Sequence, residues 1–362
     1  MKVLILANND VGLYRFRKEL IVELSKKHTV ILSLPYGEMV EPLKTLGCIY
    51  VDTPVDRRGV NPIADGILFL NYLKLLWKEK PEVVLTYTIK PNIYGGLVCR
   101  LTRTPYIINV TGLGTVLNKN GLLSKILKVL YCKNVQKSYH TFFQNGENLK
   151  IFEEEIKNVS NISLIPGSGV NLTSNCFEPY PEDDGSLRFM FVGRIMRDKG
   201  VSEYLECARS LTGKYSNIYF DVVGDYDDDS YRSVIKNLDN SGVIRYLGKR
   251  NDVHALMKSH HAIIHPSYHE GLSNVLLEAA ACGRPVIATT VSGCRETYDD
   301  GVTGIGFEAR CGQALIDAVE KFIQLPYEQK RAMGQAGRRK MEAEYDRNIV
   351  VDSYLEQINK IN

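Results

Sequence analysis

Short apolar runs alternate with longer amphipathic segments along the first half of the chain. The apolar runs predict buried strands at Lys2–Ala7, Thr29–Leu34, Val83–Thr88, Tyr106–Val110 and His140–Phe143. Apolar positions three or four residues apart predict helices at Arg15–Lys27, Pro62–Lys80 and Ile93–Thr102, and Asn8–Tyr14 is predicted to be a loop. Strands alternating with helices predict a doubly wound parallel sheet.

The same alternation restarts after a polar segment, Pro166–Pro181, in the middle of the chain. Strands are predicted at Arg188–Val192, Ile218–Val223, Ile244–Tyr246, Ala262–His265 and Pro285–Thr289, and helices at Val201–Leu211, Ser230–Leu238, Val253–Ser259 and Val275–Cys282. We therefore predict two Rossmann-like α/β domains, residues 1–170 and 171–344, with a C-terminal helix (residues 345–362) packing back on the first.

The composition of the chain indicates the cellular compartment in which the protein is expected. The chain of 362 residues is 44% hydrophobic and 24% charged, which is ordinary for a globular protein. No run approaches the ~18 apolar residues of a membrane-spanning helix, and the apolar run at the N-terminus is too short for a signal peptide. The eight cysteines include no CxxC pair, so free thiols in a reducing cytoplasm are expected.

The net charge of +3 conceals an asymmetry between the two halves. Residues 1–170 carry 22 Lys+Arg and 14 Asp+Glu (+8), and the remainder carries 23 and 28 (−5). The stretch from Val83 to Gly146 holds eight basic residues and no acidic one. Such a stretch is typical of a surface that faces an anionic partner.

Within this stretch, residues 121–137 form a basic amphipathic segment. The lysines are Lys125, Lys128, Lys133 and Lys137, and the apolar stripe is Leu122, Leu123, Ile126, Leu127 and Leu130. Such a helix can lie on an anionic membrane surface, or it can simply bury its stripe in its own core. Both interpretations stay open at this point.

The most specific motif is HPSYHEGLSNVLLEAAACGRPVIA, residues 265–288, in which Glu270 and Glu278 are eight residues apart. Glu270 follows a predicted strand, and Gly271 permits a sharp turn before a helix that begins near Ser273. The N–H groups of Leu272, Ser273 and Asn274 at this helix start are suited to a diphosphate. Glu270 could then hold sugar hydroxyls, and Glu278 a ribose diol.

A second motif, Phe191–Gly200, places two cations in the loop after a strand that ends at Gly193. Arg194 and Lys199 form a plausible clamp for the same diphosphate. They would stabilise charge that develops on a leaving phosphate without a metal ion.

These two motifs resemble those of glycosyltransferase family 4, whose members are retaining enzymes. The Glu270/Glu278 pair matches the family's E-x7-E signature, and the segments Val291–Glu296 and Gly301–Gly306 resemble it as well. The resemblance implies the GT-B fold, in which two Rossmann-like domains face a central cleft. It also implies a nucleotide-diphosphosugar donor, with UDP the first choice, and no cofactor or metal. Lys249 and Arg250 occupy the loop that contacts the nucleotide base in the family.

The resemblance also directs attention to loops of the first half. Residues 9–17 are similar to the first strand-to-helix loop of relatives, which implies that Gly12 approaches the donor and Arg17 the acceptor. Further acceptor-binding residues are expected in the loops after the strands at 83–88 and 106–110, namely Lys90, Asn92, Thr111, Gly112 and Gly114. For Lys90 and Asn92 the alternative, that they are ordinary loop residues, stays equally open. Many relatives carry a histidine in the latter loop. This chain has Asn109-Val-Thr-Gly there, so no group is assigned to acid–base assistance.

Two sequence patterns resemble metal-binding motifs, but we do not interpret them as metal sites. The acidic run Asp225–Asp229 resembles a DxD motif of another glycosyltransferase fold, and His261, His265 and His269 have a spacing of four but lie on a strand and loop rather than one helix. We predict no metal site. Nucleic-acid binding is also not expected, because the basic stretch contains no recognised nucleic-acid-binding pattern.

The sequence thus predicts a hexosyltransferase that moves a hexose or N-acetylhexosamine from a UDP-sugar to a polyprenyl-diphosphate-linked saccharide, peripheral on the cytoplasmic face of the plasma membrane. Overall resemblance is greatest to capsular and glycan enzymes that add α-linked galactose or N-acetylgalactosamine. Two alternatives remain: a UDP-sugar epimerase of the same fold, and a non-catalytic scaffold that binds nucleotide sugars.

Overall fold

The computed structural model describes residues 1–56, 61–111, 122–156 and 160–361. The chain divides into two compact units, one comprising Met1–Ser168 with Asn348–Asn362 and the other Gly169–Arg347. The C-terminal segment therefore belongs to the first unit, as part of its core.

The described part of the first unit is built on a seven-stranded parallel sheet with the order β3-β2-β1-β4-β5-β6-β7. The strands are β1 Lys2–Leu6, β2 Thr29–Leu34, β3 Ile49–Asp52, β4 Val83–Tyr87, β5 Tyr106–Val110, β6 His140–Phe143 and β7 Ile162–Leu164. The helices are α1 Asp10–Ser25, α2 Val40–Lys44, α3 Pro62–Glu79, α4 Gly96–Thr102, α5 Leu122–Lys137, α6 Gly146–Glu155 and the C-terminal α13 Arg347–Asn359, with a π-helical turn at Pro91–Gly95.

The described part of the second unit has a six-stranded parallel sheet with the order β10-β9-β8-β11-β12-β13. Its strands are β8 Leu187–Val192, β9 Ile218–Val223, β10 Arg245–Gly248, β11 Ala262–His265, β12 Val286–Thr289 and β13 Gly304–Phe307. Its helices are α7 Val201–Thr212, α8 Tyr231–Asn240, α9 Val253–Lys258, α10 Asn274–Ala281, α11 Gly312–Gln324 and α12 Tyr327–Glu344. The prediction of two doubly wound parallel sheets is confirmed.

Each sheet has an apolar core on both faces, as a doubly wound sheet requires. In the first unit, alternate residues of β1 point to opposite sides, so that Val3 and Ile5 pack with α1 and α13 whereas Leu4 and Leu6 pack with α3 and α5. Strand residues are therefore apolar on both faces, which explains why the sequence shows continuous apolar runs instead of alternation.

The start of α1 is the clearest local error of the sequence-based assignment. Residues 10–14 were expected in a loop but form the first turns of the helix. Asn9 has an extended backbone, and its side-chain oxygen accepts a hydrogen bond from Gly12 N at 2.5 Å, so it acts as the N-cap. Gly12 therefore lies in the first helical turn and not in an open loop.

Candidate functional site

The second sheet reverses its strand order between β8 and β11, which are neighbours although two strands, β9 and β10, and three helices, α7, α8 and α9, separate them in sequence. Ligands of doubly wound folds bind outside the carboxyl ends of the strands at such a switch point. The loop after β8 carries Lys199 and the loop after β11 carries Glu270. The fold therefore brings the two sequence motifs together at the position expected for a ligand site.

Lys199 and Glu270 form the centre of a polar cluster at this edge. Lys199 Nζ lies 2.5 Å from Glu270 Oε1, and both side chains are mostly buried. His265, at the end of β11, places Nε2 2.8 Å from the same carboxylate oxygen and 3.0 Å from Ser273 Oγ. The Glu270 carboxylate thus accepts hydrogen bonds from both Lys199 and His265, which fixes its orientation.

These neighbours keep Glu270 ionised. Burial alone would raise the pKa of its carboxyl, but the hydrogen bond from His265 and the positive charge of Lys199 outweigh burial and lower the pKa to about 2. A depressed pKa stabilises the fold above the usual value near 4.5, and this contribution is lost only as the pH falls towards 2. At neutral pH the group is a carboxylate that can only accept hydrogen bonds, as a sugar hydroxyl requires.

Two glycines allow the loops that carry the cluster to approach each other closely. Gly200 has a left-handed φ of 68°, and a Cβ there would lie 2.0 Å from the carbonyl oxygen of Pro266. Gly293 has a φ of 83°, and a Cβ there would lie 2.5 Å from the carbonyl oxygen of Glu270. The backbone hydrogen bond from Tyr268 N to Asp198 O, at 2.9 Å, ties the first pair of loops together.

The E-x7-E helix, α10, begins where the sequence predicts, with Ser273 as N-cap accepting from Leu276 N at 3.5 Å. One detail differs from expectation: Ser273 N donates to Gly293 O at 2.8 Å, so this N–H group is already used. Leu272 is buried, whereas Gly271 and Asn274 are partly exposed at the turn. Glu278 lies one turn into the helix with a partly exposed side chain.

The remaining candidate donor residues are more exposed than this cluster. Arg194 follows Gly193 at the end of β8 and pairs with Asp227 at 2.9 Å, so one member of the acidic run serves as its partner. Lys249 and Arg250 follow β10, and both are exposed. Arg250 forms a bidentate pair with Asp252, at 2.8 and 2.6 Å.

The first sheet reverses order between β1 and β4, and the candidate acceptor residues lie near the ends of these strands and of β5. Arg17 is buried, with its guanidinium 5.1 Å from the ring centre of Tyr87 and 5.9 Å from that of Tyr354. Lys90 pairs with Asp65 at 2.6 Å. These two cations are thus positioned by contacts within the first unit.

Asn92 is 1% exposed, and its amide nitrogen donates to Asn109 O at 2.9 Å and to Tyr131 Oη at 2.8 Å. The structure therefore gives Asn92 a role in the core of the first unit. Thr111 is partly exposed at the end of β5, whereas Gly112 and Gly114 lie outside the described residues.

Two parts of the arrangement were not predicted from sequence. The bond from His265 to Glu270 could be suspected only from their positions at the end of one strand and in the following loop. Asn109, the first residue of the Asn109-Val-Thr-Gly segment, is buried in a neutral network: it donates to Tyr354 Oη at 2.7 Å and accepts from Gln144 at 3.0 Å. This network holds a strand end to α13 and offers no group that titrates near neutral pH.

Comparison with known proteins places these features in context. Residues 174–340 match the family model described as "Glycosyl transferases group 1". The chain is 26% identical over 380 residues to the N,N'-diacetylbacillosaminyl-diphospho-undecaprenol alpha-1,3-N-acetylgalactosaminyltransferase of Campylobacter jejuni, covering 100% of this chain and 99% of the relative. It is also 26% identical to a UDP-Gal:alpha-D-GlcNAc-diphosphoundecaprenol alpha-1,3-galactosyltransferase of Escherichia coli, with 66% of each chain covered.

Solved structures show the same architecture. A glycosyltransferase from Rickettsia africae superimposes with a TM-score of 0.81 at 19% identity, covering 99% of this chain and 98% of the other. HepE of Anabaena, solved with UDP and glucose, gives 0.80 at 14% identity, with 99% and 100% covered. The likeness identifies the fold as GT-B, as predicted from the sequence motifs.

Proposed function

Because the chain is a glycosyltransferase of GT-B fold with a group 1 domain at residues 174–340, we propose that it transfers a hexose or N-acetylhexosamine from a UDP-sugar to a polyprenyl-diphosphate-linked saccharide. The observation that carries the donor half of this proposal is the Lys199–Glu270 pair at the switch point of the second sheet. The acceptor half rests on the two relatives named for diphospho-undecaprenol substrates. Relatives that are transferases favour transfer over epimerisation.

The second unit, close to the predicted residues 171–344, is the donor domain in this proposal. The diphosphate meets the start of α10 at Gly271, Leu272 and Asn274, with Lys199 and Arg194 supplying positive charge. Glu270 accepts hydrogen bonds from sugar hydroxyls, and Glu278 accepts them from the ribose. The loop with Lys249 and Arg250 receives the base, for which Arg250 exchanges its intramolecular partner Asp252. Gly12 and the acceptor-binding residues belong to the first unit.

The chemistry that this arrangement supports is same-face substitution, which retains the anomeric configuration. The bond from the sugar C1 to the diphosphate oxygen breaks as the acceptor hydroxyl forms its new bond to C1. The departing phosphate oxygen accepts the hydroxyl proton, so no protein nucleophile or base is needed. Lys199 and Arg194 stabilise the negative charge that accumulates on the leaving UDP.

A nucleotide-binding experiment tests the donor site. UDP and UDP-sugars should raise the unfolding temperature in the absence of Mg²⁺. At a ligand concentration a hundredfold above Kd, the free energy of unfolding should increase by about 2.7 kcal/mol. GDP and ADP should have much smaller effects. Glu278→Ala should abolish the UDP effect, because the ribose contact is lost, whereas Glu328→Ala on the exposed face of α12 should keep it. A chain that no nucleotide stabilises would contradict the donor-site proposal.

A second surface supports a lipid-linked acceptor. No helix among the described residues is long and apolar enough to cross a membrane. However, α3 exposes four apolar residues on one face, Ile63, Ile67, Leu70 and Trp77, with Ile63 74% and Trp77 65% exposed. These positions are three, four or seven residues apart and so share one helical face, on which Lys74 also lies.

The neighbouring helices α4 and α5 also expose apolar residues. α3 packs against α4, which packs against α5, and these helices expose Leu101, Ile126 and Val129. The basic segment 121–137 is thus divided: Leu127 is buried in the core, whereas Ile126 and Val129 face solvent beside Lys125 and Lys133. We propose that this apolar and basic face of the first unit rests on the anionic cytoplasmic surface of the membrane that carries the acceptor.

Trp77 is the single tryptophan of the chain, so its fluorescence reports directly on this face. Anionic phosphatidylglycerol vesicles should shift its emission to shorter wavelength, and neutral phosphatidylcholine vesicles should do so far less. Leu70→Glu should weaken vesicle binding by about tenfold or more, since burying one aliphatic side chain contributes about 1.5–3 kcal/mol. Val302→Glu, at an exposed valine of the second unit, is the matched control and should bind normally. An unchanged emission spectrum on anionic vesicles would refute this membrane assignment.

A further inference from the structure

Three metal-ligating side chains meet on the second unit, and none of them is among the proposed donor-binding residues. Cys176 and Glu178 lie in the polar segment before β8, and His254 lies in the first turn of α9. Cys176 Sγ is 3.5 Å from His254 Nε2 and 3.7 Å from Glu178 Oε1, and the latter two atoms are 3.6 Å apart. A thiol, an imidazole and a carboxylate thus converge on one point.

These separations are those of ligands around one tetrahedral ion. With Zn–S of about 2.3 Å, Zn–N of about 2.05 Å and Zn–O of about 2.0 Å, tetrahedral angles place the ligand atoms about 3.3–3.6 Å apart. The three observed distances lie within about 0.3 Å of that range.

The ligands stand on backbone that the fold holds in place. Arg284 is fully buried and donates from Nη1 to Glu178 O and from Nη2 to Lys258 O, at 3.2 and 3.1 Å. It therefore joins the segment that carries Glu178 to the end of the helix that carries His254. Arg338 Nη1 donates to Asn175 O at 3.0 Å and fixes the chain just before Cys176. The site is thus largely preorganised.

We propose that Cys176, Glu178 and His254 bind a zinc ion. Zinc is the divalent ion that takes sulfur, nitrogen and oxygen ligands together in tetrahedral geometry. On binding, the Cys176 thiol releases its proton to solvent, and the resulting thiolate and the Glu178 carboxylate balance the two positive charges of the ion. Cys176 is exposed, so water completes the fourth position. The ion cross-links the segment before β8 to α9.

Neighbouring groups set the strength of this site. Lys258 Nζ pairs with the other carboxylate oxygen of Glu178, at 3.1 Å, and leaves Oε1 directed at the cluster. His254 Nδ1 is buried and finds no hydrogen-bond partner among the described residues. Zinc-bound histidines usually donate from this second nitrogen, and loss of that bond costs about 10- to 100-fold in affinity. We therefore expect a site weaker than a fully supported structural zinc site.

Cobalt substitution tests the proposal. Tag-free protein, kept reduced, should bind one Co²⁺ per chain with the intense visible bands of tetrahedral coordination and a thiolate-to-cobalt charge-transfer band. Zn²⁺ should displace the cobalt and bleach both. Cys176→Ser should remove the charge-transfer band, and His254→Ala should weaken binding by at least about tenfold. Cys311→Ser, at a partly exposed cysteine elsewhere on the unit, should leave the spectrum unchanged.

Circular dichroism keeps the result interpretable, because each variant must first show the wild-type spectrum and melting curve. Should Cys176→Ser disturb folding, Glu178→Gln provides the second variant: it keeps the side-chain volume, and it should likewise weaken cobalt binding by at least about tenfold. The proposal is overturned if wild-type protein binds no stoichiometric cobalt, if the bound cobalt shows no thiolate band, or if folded Cys176→Ser binds it equally well.

Discussion

Lys199→Ala is expected to lower kcat/KM for sugar transfer by about a hundred- to a thousandfold. Lys199 is mostly buried, follows the central strand β8 and reaches the carboxylate of Glu270 at the sheet's switch point. A preorganised cation in such a site stabilises the departing diphosphate far more than a solvated one would, and removing one such group typically costs this much. Initial rates with a labelled UDP-sugar and a lipid-linked acceptor measure the effect.

Arg197→Ala provides the matched control. Arg197 lies two residues before Lys199 in the same loop, but it is exposed, and we expect its replacement to change the rate by less than about threefold. The double variant Lys199→Ala/Glu270→Ala should be little worse than either single variant, because paired groups that act as a unit are not additive. A Lys199→Ala protein with near-normal transfer would remove Lys199 from the mechanism.

The main features of this site could be predicted from sequence because they are local. Glu270, Gly271 and Ser273 lie within four residues of one another, and a strand followed by glycine and a capped helix has a defined geometry. Strands such as Thr29–Leu34 and Ala262–His265 have the predicted limits because nine of their ten residues are buried and most of these are apolar. In these cases the local pattern is sufficient.

Features that depend on distant residues were not accessible in this way. β3 and β7 are short edge strands with partly exposed residues, and their pairing with β2 and β6 is decided by the sheet. The early start of α1 depends on one hydrogen bond, which the side chain of Asn9, a residue predicted to be in a loop, accepts from Gly12 N. A single sequence does not distinguish such a cap from an ordinary loop asparagine.

The proposed zinc cluster shows the same limitation more strongly. Cys176 and Glu178 are close in sequence, but His254 is 78 residues from Cys176. The three residues therefore do not form a metal-binding motif that can be recognised from their spacing in the sequence. They meet where the buried Arg284 joins the segment before β8 to the end of α9. Sequence analysis therefore predicted no metal there, and only the fold reveals the candidate ligands.

That arginine is the subject of the second large effect: Arg284→Ala should destabilise the second unit by about 3–5 kcal/mol. Its side chain is fully buried and donates to five backbone carbonyls, those of Met257, Glu178, Gly283, Pro179 and Lys258. Burial lowers the pKa of the guanidinium, yet these carbonyl dipoles compensate its charge. Alanine would leave both a cavity and buried carbonyl groups without donors.

Denaturant unfolding followed by two probes measures this effect and locates it. Trp77 belongs to the first unit, so its fluorescence follows that unit, whereas far-UV circular dichroism follows both. We expect Arg284→Ala to move the dichroism transition to lower denaturant by far more than the Trp77 transition. Arg331→Ala, at an exposed arginine of α12, should change neither by more than about 0.5 kcal/mol. If Arg284→Ala lowered the free energy of unfolding by less than about 1 kcal/mol, the segment before β8 and the end of α9 would hold together without this arginine. Arg284 could then not be the residue that positions Cys176, Glu178 and His254.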